Sequence, residues 1–101
     1  DQGEGDQWVY VLSNPSLPKE YLKIGYTKLK PEERAIQISS ATGVPTPYKV
    51  EWAYKCFNGE IVERMTHEKL KAFRVNNRKE FFHISLEEAK DNIILIGNKF
   101  K

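Results

Sequence analysis

The chain has 101 residues, a formal charge of +2 and one cysteine, Cys56, which bounds it to one compact domain and excludes an intramolecular disulfide. No apolar run is long enough to span a bilayer and no leader pattern opens the sequence, so a non-membrane, cytoplasmic protein is expected. Aromatic residues make up 12% of the chain, enough for a packed core rather than disorder.

Residues 1–7 are polar, with two glycines, and read as a tail or as a linker from a longer parent with other domains. A single domain is expected over residues 8–101. "WVYVL", Trp8 to Leu12, has the β-branched and aromatic content of a strand. "SNPSLPKE" holds two prolines and turns the chain. "YLKIGY" resumes as a second strand and forms a long-looped hairpin with the first. An alternating run that stops at Gly25 predicts a sharp turn there.

After Thr27, "KLKPEERAIQISSATG" predicts a helix with Pro31 in its first turn, Glu32 and Glu33 at the positive dipole end, and Gly43 as its stop. "VPTP" is a rigid connector. In "YKVEWAYKCF" the alternation places Tyr48, Val50, Trp52, Tyr54 and Cys56 on one face of a third strand. Asn58-Gly59 turns, and "EIVERMTHEKLKAFRV" predicts a long helix with Ile61, Val62, Met65, Ala72 and Phe73 as its buried arc. "NNRKE" is a basic loop, and "FFHI" fits a short strand. Ser85 with Glu88 makes a capping box for a last helix to about Leu95. The expected architecture is α+β, a small three-stranded mixed or antiparallel sheet flanked by helices, in the order β-β-α-β-α-(β)-α.

Several polar residues fall where they can meet. Tyr10 shares a strand face with Trp8 and Leu12; Tyr21, Lys23 and Gly25 share a face of the neighbour. Arg34, Ile38 and Ala41 lie along one helical stripe. Glu63, His67, Leu70 and Arg74 border the buried arc of the long helix, one turn apart. A carboxylate and an imidazole so placed can bind a metal or exchange protons. Each residue also has a bland reading: cross-strand packing for Tyr10 and Tyr21, a snorkelling surface stem for Lys23, a salt bridge for Arg34. Glu63 with His67 is then an ordinary surface pair, short of the third protein ligand that zinc needs. Cys56 is a core residue and His83, between Phe82 and Ile84, a structural one.

Taken together, in order and spacing, these residues resemble the GIY-YIG nuclease superfamily. "VYV" (Val9 to Val11) stands where that family has GIY, and "KIG" (Lys23 to Gly25) where it has YIG. Arg34 matches its helix arginine and Glu63 its metal-binding glutamate. "KIG" and the late "EFF" (Glu80 to Phe82) are similar to the short phage-associated branch, the phage T-five open-reading-frame-like domains. The resemblance runs from about Trp8 to Ile93. Two departures stand out: the first motif keeps only its tyrosine, and Lys23 replaces the usual catalytic tyrosine of the second.

The resemblance implies a DNA endonuclease that hydrolyses phosphodiester bonds with little sequence specificity. Tyr10 and Lys23 would face the phosphate, Arg34 would neutralise phosphoryl charge, and Tyr10, directly or through His67, would help activate water. One Mg²⁺ or Mn²⁺ would be held by Glu63 and waters. Lys28, Lys30, Lys71 and Arg74 are candidate nucleic-acid contacts, as are Asn76, Asn77 and Arg78 in the basic loop. At its free pKa Lys23 is a poor base, so a DNA-binding module with weak or lost catalysis is the alternative. A protein-interaction domain using its aromatic surface is a third.

Overall fold

The computed structural model describes residues 5–18, 20–41, 46–75 and 80–100. Alternating apolar residues build β1 (Gln7–Ser13), β2 (Tyr21–Thr27) and β3 (Lys49–Cys56), and "FFH" forms β4 (Phe81–His83). The sheet therefore has four antiparallel strands, in the order β3-β1-β2-β4, rather than three. The short fourth strand completes it because β2 would otherwise leave its whole outer edge without partners. Among the described residues three helices join it: α1 (Pro31–Ala41), α2 (Gly59–Lys69) and α3 (Leu86–Asn98). Among the described residues no helix is long and apolar enough to cross a membrane.

The two sheet faces carry separate cores. Val9, Val11, Leu22, Ile24, Tyr54, Cys56 and Phe82 form the larger one with Val62 and Leu70 from the α2 side and Ala89, Ile93 and Ile96 of α3. Tyr10 and Leu12 face the other way and pack with Tyr48 and with Ala35 and Ile38 of α1. Cys56 is a buried free thiol, as its alternation predicts. Pro31, Ala35 and Ile38 are the buried stripe of α1, at helical spacing, and Arg34 sits on its border. The Ser85 half of the predicted capping box is present: Glu88 N–H donates to the Ser85 hydroxyl at 3.2 Å.

Three expectations change. The third strand does not keep its apolar residues on one face. Val11 pairs with Trp52 but Leu12 pairs with Val50, so Glu51 is an extra residue in a β-bulge. Tyr48 and Val50 consequently join the α1-side core, while Trp52, Tyr54 and Cys56 pack in the larger one. The long helix is shorter than its periodicity suggested. It stops at Lys69, and Lys71–Phe73 is a 3₁₀ turn. The reason is tertiary: Val75 N–H donates to the Phe81 carbonyl and Arg74 bridges Phe82, which pulls the chain out of helix toward β4. With that turn the buried arc of α2 becomes Gly59, Val62 and Thr66, whereas Met65 is 43% and Phe73 41% exposed; Ala72 is exposed and Ile61 only half-buried. The tail boundary moves slightly too, since Gln7 pairs with Cys56 in the sheet and accepts from Gly59 N–H through Oε1.

Candidate functional site

The site grows from an incomplete strand pairing. β4 covers only Tyr21 to Lys23 of β2, so among the described residues Ile24 to Thr27 have no strand on their outer edge. Exposed ladder groups need partners, and here they come from side chains of α2 and from Glu80. Ile24 N–H donates to the Glu80 carbonyl at 2.9 Å. The Ile24 carbonyl meets His67 Nε2 at 2.7 Å, and Tyr26 backbone N–H hydrogen-bonds the Glu63 carboxylate. Spacing of four residues puts Glu63 and His67 on the same border of α2. The helix thereby docks its two chemically active side chains onto the open half of β2.

Gly25 is not at a turn. It lies inside β2 directly opposite Tyr10 of β1, in ordinary extended backbone. A Cβ added there would sit 2.6 Å from Tyr10 Cζ and nearer still to its hydroxyl. The glycine is needed so that the phenol can lie flat across the neighbouring strand. This carries the hydroxyl toward α1, where Arg34 hydrogen-bonds it; Arg34 Nη1 also donates to Gln37 at 3.1 Å. Burial, followed by the charge of Glu80, pushes the Tyr10 phenol up to about 12, with Arg34 opposing. At neutral pH Tyr10 is a proton donor.

Lys23 lies on the same sheet face, opposite Leu12. Its ammonium is 2.7 Å from a Glu80 oxygen, and only 14% of its side chain is exposed. Glu63 is half-buried, and burial, then the Glu80 charge, pushes its carboxyl up to about 7; the Tyr26 N–H and, more weakly, Lys23 oppose this. His67 packs 5.0 Å from the Phe82 ring. Burial lowers its pKa, although its bond to Ile24 opposes the shift. A carbonyl only accepts, so Nε2 carries the proton and the neutral ring's acceptor is Nδ1.

Tyr10, Lys23, Arg34, Glu63 and His67 thus come from four elements and converge. The nucleic-acid candidates are more scattered. Arg74 stacks over Phe82 at 5.7 Å, and its buried Nε has no hydrogen-bond partner among the described residues. Lys71 pairs with Glu68 at 3.0 Å on an exposed surface. Lys28 is exposed in the link from β2 to α1; Lys30 lines a groove of about 470 Å³ beside Trp8 and Pro31. Asn76, Asn77 and Arg78 lie outside the described residues. A groove of about 610 Å³ at the other end of the sheet, around Ser13, Leu22 and Leu86, contains none of the candidates. Among the described residues no group of three or more His, Cys, Asp or Glu is placed to hold a metal ion.

The residue that sequence reasoning left without a role is Glu80. Its charge acts on Tyr10, Glu63 and His67, and it pairs with Lys23. Its position at the head of "EFF" was visible; its partner is 57 residues away and was not.

A pH dependence of stability follows from His67. The unfolded chain protonates this imidazole near 6.5, the folded chain only at lower pH. Unfolded protein therefore binds more protons below that value, and stability falls as pH drops through it. Glu63 contributes the opposite sign between the usual carboxylate range and about 7, so a comparison of two proteins is needed. His67→Gln keeps a donor for Ile24 without the titration. Urea midpoints from about pH 7 down to 5 should decline less in His67→Gln than in the parent; parallel curves would remove this contribution.

The geometry can be set beside known proteins. Comparison with the curated proteins and with the solved structures finds no match. The family model of the T5orf172 domain matches residues 7–97, from the first residue of β1 to the last turn of α3. By this match over most of its length, the chain belongs to the T5orf172 domain family, a phage-associated, nuclease-like family.

Proposed function

We propose that this domain is a divalent-cation-dependent DNA endonuclease of the GIY-YIG type, with little intrinsic sequence specificity. The observation that carries the reading is the convergence of Tyr10, Arg34, Lys23 and Glu63, from β1, α1, β2 and α2, around the open half of β2. Local periodicity demands no such meeting. Two fixed cations beside a proton-donating phenol suit a transferring phosphoryl group, whose charge grows on its oxygens. Lys23 and Arg34 bind those oxygens and orient the phosphodiester. Tyr10, protonated, buried and hydrogen-bonded to Arg34, positions that guanidinium from beneath. His67 has Nε2 committed to the Ile24 carbonyl, and we assign it to holding the strand edge.

Glu63 would hold the cation. The donor chemistry fits Mg²⁺ or Mn²⁺: these ions take one or two carboxylates and fill their shell with water and substrate phosphate, not with a protein cage. A carboxylate that burial and Glu80 keep reluctant to ionise gains strongly from a cation beside it. When bound, the ion supplies Lewis-acid stabilisation of phosphoryl charge.

The test is supercoiled plasmid, and branched or single-stranded DNA, with Mg²⁺ or Mn²⁺ against EDTA. Cation-dependent nicking is expected, and Arg34→Ala should slow it by roughly 10²–10³, as removal of one charge-stabilising donor does elsewhere. A binding module is the second reading, favoured by the ion pair that already occupies Lys23; salt-sensitive DNA binding without nicking would select it. Absence of DNA binding would select a protein-interaction domain.

A further inference from the structure

Glu80 pairs with Lys23 and lies within electrostatic reach of Tyr10, Glu63 and His67. Its carbonyl accepts from Ile24 N–H at 2.9 Å, which fixes the residue at the head of β4 beside the open half of β2. Its carboxylate meets Lys23 Nζ at 2.7 Å. The same ammonium lies 5.1 Å from the centroid of the Phe81 ring. Lys23 is also within electrostatic reach of Glu63. A lysine is a point charge on a flexible stem and pairs with whichever carboxylate is best placed. Two carboxylates therefore compete for one ammonium, and in the structure Glu80 has it.

Resting on the nuclease reading, we propose that Glu80 is a positioning residue: it holds the Lys23 ammonium beside Phe81, away from Glu63, and so leaves the Glu63 carboxylate open to a divalent cation. Glu80 acts through Lys23 and not on the cation. The arrangement explains why a site that must gather phosphate-binding cations and a cation-binding carboxylate in one small area does not neutralise itself. If Glu80 lost its charge, Lys23 would be free to turn to Glu63, which is already within its electrostatic reach, and any metal would have to displace that lysine.

The test uses Mn²⁺ alone as probe, followed by electron paramagnetic resonance, on the parent, Glu80→Gln and Glu80→Asp, beside plasmid nicking. The Mn²⁺ midpoint should rise by about 10-fold or more in Glu80→Gln, the scale seen when a residue that orients a metal ligand is removed. Glu80→Asp should restore most of it. In a Lys23→Met background the same Glu80→Gln change should shift the midpoint far less, because the competitor is gone and only the through-space charge of Glu80 on Glu63 remains. An equal shift in that background would make Glu80 a ligand and overturn the positioning role. An unchanged midpoint in a Glu80→Gln protein with normal thermal unfolding would also overturn it, and a parent that binds no Mn²⁺ would overturn both readings. A parent that binds Mn²⁺ but nicks no plasmid ends the nuclease reading alone, while the midpoints still decide the role of Glu80.

Discussion

Glu63→Gln is expected to reduce plasmid cleavage by orders of magnitude, to leave DNA binding intact, and to raise stability above neutral pH. Gln keeps the size and helix propensity of Glu but removes the charge that holds a hard cation, so the cation's contribution to the transition state goes with it. DNA binding should hold or tighten slightly, since a negative charge facing phosphate is lost. The stability gain has a separate origin. The folded protein keeps the Glu63 proton up to about pH 7, whereas the unfolded chain releases it near 4.3. The folded state binds more protons in that window and loses stability as pH rises through it. Glutamine never ionises, and its side-chain oxygen still accepts from Tyr26 N–H. Because the group is only half-buried, the gain at about pH 8 is set near 1 kcal/mol, roughly 5 °C in Tm. Cleavage at the parent rate would overturn the assignment of Glu63. A lower Tm at about pH 8 would show that its charge is compensated in the folded protein.

Gly25→Ala should damage both folding and cleavage. In an open strand, replacing glycine by alanine stabilises by about 0.4–1 kcal/mol through the unfolded chain. Here the sign is reversed, because the new methyl overlaps the Tyr10 ring at Cζ and hydroxyl. That ring is 2% exposed, packed beneath Ala35 and Ile38, and cannot swing aside without disturbing α1. Overpacking of this kind costs about 1–3 kcal/mol. Displacing the phenol also separates it from Arg34, so cleavage should fall further than stability alone explains. Tyr10→Phe removes the atom nearest the added methyl. In that background Gly25→Ala should cost about 1 kcal/mol less by urea unfolding, and equal costs in both backgrounds would exclude the ring contact as the cause.

What the chain determined by itself was local. Alternation placed β1, β2 and β3, and Pro31 in a first turn and Ser85 as an N-cap set the starts of two helices. Helical spacing put Glu63 beside His67, and Arg34 at the edge of an apolar stripe. Patterns with periods of 2 and 3.6 report which side of an element is buried, and no more. Everything that required one element to find another was decided by tertiary structure. The bulge at Glu51 arises from the register with β1 and reassigns Tyr48 and Val50 to the opposite core. The α2 helix ends early because β4 captures Arg74 and Val75. Gly25 has its reason in a ring that approaches from another strand, and Glu80 has its in a lysine 57 residues away. Pairing register and the short reach of β4 along β2 leave no periodic trace, since they depend on how non-local surfaces fit once the strands are side by side.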